Sequence, residues 1–180
     1  AVPAIRFLLA GLVLAGFALA TEGRIPHPTT GSEWGVVSGL AITGIFIYAL
    51  CFFYGLKQIT AGRGALVVAL TPVLVALGAW FMGQERMTPV KLTGIVIAML
   101  GCLTVVGNGN PLALLHGAVG MGEWLILGCA LCWTAYTFIG RQATKSLSPL
   151  AATLHASLIG SLLLGVTALL QGGSELAEWS

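Results

Sequence analysis

Charged side chains are scarce in this sequence. Lys, Arg and Glu together make up 8% of its 180 residues, and aspartate does not occur at all. A soluble domain carries about 25% charged residues, so this chain has too few charges to cover a surface in contact with water. Hydrophobic residues, in contrast, make up 57% of the chain. The low charge excludes an ordinary soluble domain and a disordered chain, and it predicts that lipid is the solvent.

The motifs of soluble chemistry are also missing. The sequence has no phosphate-binding glycine motif, no HExxH, no GxSxG and no basic aromatic patch, and its net charge is only +2. Of the four cysteines, only Cys129 and Cys132 form a CxxC pair, and no second pair accompanies it. We therefore expect no cofactor, no metal site and no nucleic-acid partner, and we interpret the cysteines as small apolar fillers.

Six long stretches contain no Asp, Glu, Lys or Arg. Each can hold one membrane helix, because a span needs about 20 mostly apolar residues. The runs are apolar on every face, whereas barrel strands would alternate between apolar and polar residues. The sequence therefore predicts an all-α integral membrane protein with six transmembrane helices, approximately over residues 1–20, 34–55, 64–83, 90–107, 123–140 and 150–170.

Several residues mark the expected helix starts. Pro89 and Pro149 fit the first turn of the fourth and sixth spans. Ser32, which precedes Glu33, fits the cap of the second span, with the carboxylate near the positive end of the helix dipole.

Basic residues are unevenly distributed among the loops and predict the orientation. Loops after the first, third and fifth spans hold more of them than the alternate loops, which contain Lys57 and Arg63. The positive-inside rule places the richer set in the cytoplasm and both chain ends outside. The richer set consists of Arg24, Arg86, Lys91, Arg141 and Lys145.

A weak internal repeat relates the first and sixth spans. When Arg6 is aligned with His155, two leucines and two glycines coincide: Leu9 with Leu158, Gly11 with Gly160, Leu14 with Leu163 and Gly16 with Gly165. The pair Glu33–Trp34 recurs as Glu178–Trp179. A period of five helices makes the two copies insert in opposite directions, which is a common plan of secondary transporters. We therefore expect a fragment of a ten-helix inverted-repeat transporter bundle, with one helix preceding Ala1 and three following Ser180.

The segment from Phe53 to Val106 carries a more specific pattern. An aromatic residue is followed by a small residue and leucine, the next helix contains a proline and ends in a glutamate, and the following helix contains glycines: Tyr54, Gly55, Leu56, Pro72, Glu85, Gly94 and Gly101. This pattern resembles the second part of an EamA domain of the drug/metabolite transporter (DMT) superfamily. Gln84 departs from it by separating the usual glycine from Glu85.

The resemblance extends over essentially the whole chain. It implies that residues 1–107 are a first EamA repeat lacking its first helix, that 108–120 are an extracytoplasmic connector, and that 121–180 are the first two helices of a second repeat. It also implies a ten-helix protein that exports small metabolites or drugs, such as amino-acid-like compounds, by alternating access. The expected partners are the lipid bilayer and a small-molecule substrate, and the expected location is the cell membrane, which is the inner membrane in a bacterium.

Two other classes remain open. An intramembrane enzyme would require a cluster of catalytic groups at one depth, but His27 and His116 lie in loops and His155 stands alone. We therefore expect no enzymatic activity. The third class is a nonenzymatic subunit of a membrane bundle.

Candidate substrate-binding residues come from aromatic, hydroxyl and ionisable side chains within the spans. Ser38 and Tyr48 share a stripe on the second span, and Trp133 and Tyr136 share one on the fifth. Such a stripe indicates either helix packing or the wall of a water-filled cavity. His155 lies inside the sixth span, where an ionisable group is a candidate for contact with substrate or a proton, although its place in the first turns weakens that interpretation.

Thr71 and Pro72 complete the set. Pro72 has two open interpretations: a kink that exposes a backbone carbonyl to substrate, or a packing kink in which Thr71 satisfies that carbonyl. Glu85 belongs either to a gate or, as we favour, to an interfacial charge network with Arg86 and Lys91. Every glutamate lies at a predicted helix end, so we expect proton coupling to involve His155, helices outside this sequence, or no ion.

Overall fold

A computed structural model describes residues 2–23, 25, 27–106, 109 and 120–170 of the chain. Most of the predicted connector 108–120 lies outside these described residues, as do Arg24 and the segment 171–180 that contains Glu178 and Trp179. Every regular element in the described part is helical. The elements are α1 (Val2–Glu22), α2 (Gly31–Leu40), a π-helical segment (Ala41–Ile47), α3 (Tyr48–Leu56), α4 (Ala61–Val68), α5 (Thr71–Phe81), α6 (Pro89–Val106), α7 (Met121–Ala143) and α8 (Pro149–Leu170).

Five helical stretches are long and apolar enough to cross a membrane. They coincide with five of the six predicted spans and run over Val2–Thr21, Gly31–Leu56, Ala61–Phe81, Met121–Ala143 and Pro149–Leu170. The remaining prediction, residues 90–107, corresponds to α6, which is apolar but shorter. Over the residues that it describes, the structure therefore confirms a helical architecture with five candidate spans, while the count of six and the ten-helix repeat stay predictions.

The helix starts show one correction. α6 begins at Pro89 and α8 at Pro149, as the missing N–H of proline favours. The cap of α2, however, is Thr30 and not Ser32. The Thr30 hydroxyl accepts the Glu33 N–H, and the Glu33 carboxylate accepts the Thr30 N–H, which is a reciprocal capping box. The prediction was wrong because it placed the cap one residue before Glu33, whereas the carboxylate reaches back three residues.

The second span is not a uniform α-helix. Its central seven residues, Ala41–Ile47, form a π-helix, in which each backbone hydrogen bond reaches one residue further than in an α-helix. The Thr43 hydroxyl donates to the Gly39 carbonyl at 2.7 Å. This wider turn was not predicted, because hydrophobic periodicity does not distinguish a π-helix from an α-helix over so few residues. π-Helical turns occur frequently at functional sites.

The chain divides into two compact units. The first unit comprises residues 1–49 and 135–180, and the second comprises residues 50–134. In the first, α8 is the central helix: it packs extensively along α1 and also contacts α2 and the π-helical segment. Its buried side is formed mainly by small residues, which let neighbouring backbones approach closely where lipid gives little hydrophobic drive.

The second unit contains most of α3, all of α4, α5 and α6, and most of α7. Ile126 and Cys129 on α7 are completely buried, and Val67 on α4 and Ile95 on α6 are nearly so. α4 contacts α6 directly. All four cysteines of the protein are free thiols.

Candidate functional site

Several polar side chains of α8 are at least partly buried. Ser157 and Ser161 are buried, and His155 is half-buried. The Ser161 hydroxyl donates to the Leu158 carbonyl at 2.8 Å, which satisfies it within its own helix. A hydroxyl in an apolar bundle needs such a partner, because an unsatisfied polar group is costly to bury.

His155 has one ring nitrogen engaged. Its Nδ1 lies 2.9 Å from the carbonyl oxygen of Ala151, one turn earlier on α8. A carbonyl oxygen can only accept, so Nδ1 carries the proton in this hydrogen bond and Nε2 is the remaining polar atom of the ring. The ring also meets Trp34 edge to face, with centroids 5.6 Å apart and an interplanar angle of 88°. An imidazole and an indole from α8 and α2 therefore meet within the first unit.

Tyr136 packs against the π-helical segment in the same unit. A Cβ atom built on Gly44 would overlap Cδ2 of Tyr136 and lie 2.7 Å from its Cε2. The next residue of the segment, Ile45, packs against α8: a Cβ on Gly160 would lie 2.5 Å from Cγ2 of Ile45. The π-helical segment is therefore held on two sides by contacts that only glycine allows.

The two units separate the predicted site residues into two groups. Ser38, Tyr48, Tyr136 and His155 belong to the first unit, and all four are half-buried. Thr71, Pro72 and Trp133 belong to the second, where Thr71 is half-buried and the other two are exposed. Trp34, which contacts His155, was not among the predicted site residues. Its signal in the sequence was the aromatic side chain beside a glutamate at a helix start.

Pro72 interrupts the third span between α4 and α5. Proline lacks the N–H that would bond to the Val68 carbonyl four residues earlier. The Thr71 hydroxyl donates to that same carbonyl at 2.5 Å. This is the arrangement that the packing interpretation of the kink requires, and a role of Thr71 and Pro72 in substrate binding stays a prediction.

Replacing Thr71 with valine is expected to destabilise the protein by about 1 kcal/mol, because the Val68 carbonyl then loses its donor. The change keeps the shape of the side chain and removes only its hydroxyl. The measurement is the unfolding midpoint in detergent, followed by tryptophan fluorescence. Thr71→Ser keeps the hydroxyl and should unfold at the parental midpoint, whereas equal loss in both variants would contradict the role assigned to the hydrogen bond.

The second unit contains a buried ion pair that sequence analysis missed. Arg63 Nη2 in the first turn of α4 lies 2.9 Å from Glu123 Oε1 in the first turn of α7. The Glu123 side chain is only 6% exposed and that of Arg63 is 25% exposed. The other carboxylate oxygen, Oε2, accepts the Gly120 N–H at 3.0 Å. The prediction treated every glutamate as a helix-end group, and no local pattern indicates that these two side chains meet.

The other ion pair described in this unit is different in kind. Lys91 Nζ lies 2.6 Å from Glu85 Oε2, and both side chains are exposed by more than two fifths. The partners are close in sequence: Glu85 lies in the connection between α5 and α6, and Lys91 lies in the first turn of α6. This geometry agrees with the interfacial charge network that was favoured for Glu85, and exposed pairs of this kind contribute about 0–1 kcal/mol.

Comparison with known proteins identifies the family. The model of the EamA-like transporter family matches residues 1–107 and 120–180. The chain is 31% identical over 164 residues to the uncharacterized transporter YyaM of Bacillus subtilis, covering 91% of this chain and 53% of that protein. It is 26% identical over 177 residues to a probable terminal-alkyne amino-acid exporter of Streptantibioticus cattleyicolor, covering 91% and 58% respectively.

A third relative is the S-adenosylmethionine/S-adenosylhomocysteine transporter of Chlamydia trachomatis, which is 25% identical over 167 residues, covering 88% of this chain and 49% of that protein. The chain spans about half the length of the curated relatives it matches. No solved structure matches it. With the family model matched over most of its length and with its long apolar helices, the chain is a multi-pass membrane protein that belongs to the EamA-like transporter family.

Proposed function

We propose that this chain is part of a transporter that exports small metabolites or drugs, with amino-acid-like compounds as the favoured class. The observation that carries the proposal is the family match in two separate segments, residues 1–107 and 120–180. Two relatives support the substrate class, because one is named a probable terminal-alkyne amino-acid exporter and the other an S-adenosylmethionine/S-adenosylhomocysteine transporter. The expected partners are the lipid bilayer and one small molecule, and the expected location is the cell membrane.

The mechanism that we propose is alternating access between two inverted halves. The first segment would supply helices of one half and the second segment would supply the opening helices of the other, with residues 108–120 as an extracytoplasmic connector. α1 and α8, which the internal repeat relates, pack against each other, and a Cβ on Gly11 would lie 2.8 Å from Cδ2 of Leu158. Contact between equivalent elements at a repeat interface is compatible with the inverted-repeat plan, in which substrate sites lie at that interface.

The residues proposed to contact substrate are Ser38, Tyr48, Tyr136 and His155 in the first unit and Thr71, Pro72 and Trp133 in the second. Trp34 is a further candidate, because its ring contacts that of His155. Hydroxyl and imidazole groups would bind polar parts of a substrate, and aromatic rings would pack against its apolar parts. We expect His155 to bind a substrate through Nε2, because Nδ1 already donates a hydrogen bond to the Ala151 carbonyl.

Transport measurements with the complete gene product test this function. Cells that express it would be loaded with radiolabelled amino acids, nucleosides or drugs, and the loss of label would be followed against cells with an empty vector. We expect faster efflux of at least one amino-acid-like compound. Unchanged distribution of every compound, together with a lipid-modifying activity, would exclude the exporter and favour an intramembrane enzyme.

A further inference from the structure

In the second unit, the start of α7 packs closely against the end of α3 and the turn that follows it. A Cβ on Gly122 would lie 2.7 Å from Cγ2 of Ile59 and 3.3 Å from the Gly55 carbonyl oxygen. A Cβ on Gly55 would lie 2.7 Å from Cδ1 of Ile126. We call this contact, together with the Arg63–Glu123 ion pair beside it, the glycine seam.

The glycine seam joins two parts of the sequence that the family model matches separately. Gly55, Ile59 and Arg63 belong to the segment 1–107, whereas Gly122, Glu123 and Ile126 belong to the segment 120–180. Some contacts between the two halves of a transporter form and break as it alternates between facing outwards and inwards, and these segments belong to different halves under the proposed mechanism. Movement of one half relative to the other would therefore change the contacts of the glycine seam.

An ion pair such as Arg63–Glu123 can separate at a low cost in free energy when the contact around it opens. Two charges withdrawn from water gain little net stability when they pair, because their attraction mainly offsets the loss of hydration. Arg63 and Glu123 lie in the first turns of their helices, near the membrane surface, where separated charges regain water. A seam closed by this pair can part at a smaller cost than one closed only by large apolar side chains.

We infer that the Arg63–Glu123 ion pair is a charge lock, which keeps the transport path closed at the end of the membrane where α4 and α7 begin. The distribution of Lys and Arg among the loops places this end outside the cell. The lock rests on the proposed transport function and adds a gating role for two residues of the chain. The exposed pair Lys91–Glu85 joins neighbouring residues within one segment and serves as the matched control.

Thiol labelling tests the lock without requiring any substrate. The complete gene product would carry no native cysteine and one reporter, Ala130→Cys. Ala130 is 1% exposed and lies two turns beyond Glu123 on the same face of α7. The membrane-impermeant reagent MTS-ethylsulfonate would be applied separately to intact cells and to inside-out vesicles, and the labelling rate would be compared among lock variants.

We expect E123Q and R63Q each to raise the labelling rate in intact cells by at least about five-fold, because loss of the lock favours the state open to the outside. The exchange variant R63E/E123R should bring the rate back to within about two-fold of the parent. E85Q should leave it unchanged. Restoration by the exchange variant distinguishes a lock from misfolding, because misfolding of the single variants would not be repaired by an inverted pair.

Three results would overturn the lock: an unchanged rate in E123Q and R63Q, a rate in the exchange variant as high as in the single variants, or acceleration confined to inside-out vesicles. Because no substrate is used, a failure of the lock is separate from a failure of the proposed transport function, which the efflux measurement decides.

Discussion

Alanine at position 44 is expected to prevent most of the protein from folding. The added methyl group would overlap the Tyr136 ring, and the clash involves ring atoms near the backbone of α7, which cannot turn away as the end of a flexible side chain could. Overpacking of this kind costs about 1–3 kcal/mol and occasionally more. The measurement is the yield of monodisperse protein in detergent, together with its unfolding midpoint.

Gly35→Ala is the matched control for this prediction. Gly35 lies on the same continuous helical span, but a Cβ there would meet nothing within 4 Å. Alanine also favours a helix over glycine, so this control should fold at least as well as the parent protein. Equal yield and stability in both alanine variants would show that the close approach of Gly44 and Tyr136 is not required.

Replacement of His155 by alanine is expected to lower the rate of transport by at least about ten-fold, which corresponds to about 1.4 kcal/mol. The change removes Nε2, the polar ring atom proposed to face a substrate, and the edge contact with Trp34. The bond between Nδ1 and the Ala151 carbonyl is also lost, but that carbonyl lies within a regular helix and keeps its position. The measurement is the initial rate of efflux, at matched protein levels, of a compound that the efflux experiment identifies as a substrate.

Thr153→Ala controls for the helix itself. The Thr153 hydroxyl donates to the Pro149 carbonyl four residues earlier, as His155 does to Ala151, but its side chain is exposed. This variant should transport at the parental rate. A parental rate in His155→Ala as well would remove His155 from the proposed site, while a parallel loss of rate and folded protein would assign it a structural role.

The spans were predictable because insertion into lipid depends on local composition. A stretch such as Pro149–Leu170 is mostly apolar and contains no Asp, Glu, Lys or Arg. The free energies of transfer of its residues into hydrocarbon add up, whichever helices it later packs against. Pro89 and Pro149 marked helix starts for an equally local reason. The cap of α2 was also a local signal, since Thr30 and Glu33 have the capping-box spacing, and the prediction at Ser32 overlooked it.

The candidate site was less predictable from the sequence. Helical stripes identified Tyr136 and His155 as side chains within spans, but they did not indicate that Tyr136 would pack on Gly44 or that His155 would meet Trp34. Such contacts join helices that are far apart in the chain. Their partners depend on how the helices cross, which periodicity within one helix does not determine.

The sequence by itself, through its few charges and its long apolar runs, determined that this protein is a helical membrane protein and where most of its spans lie. Tertiary structure decided what the few charges do: Glu85 pairs with a neighbour at the surface, whereas Glu123 is buried against Arg63 on another helix. It also decided that the second span contains a π-helical turn held between glycine contacts. The physical reason is that hydrophobic transfer is a sum over neighbouring residues, whereas ion pairing and close packing depend on distances between residues that only the folded chain brings together.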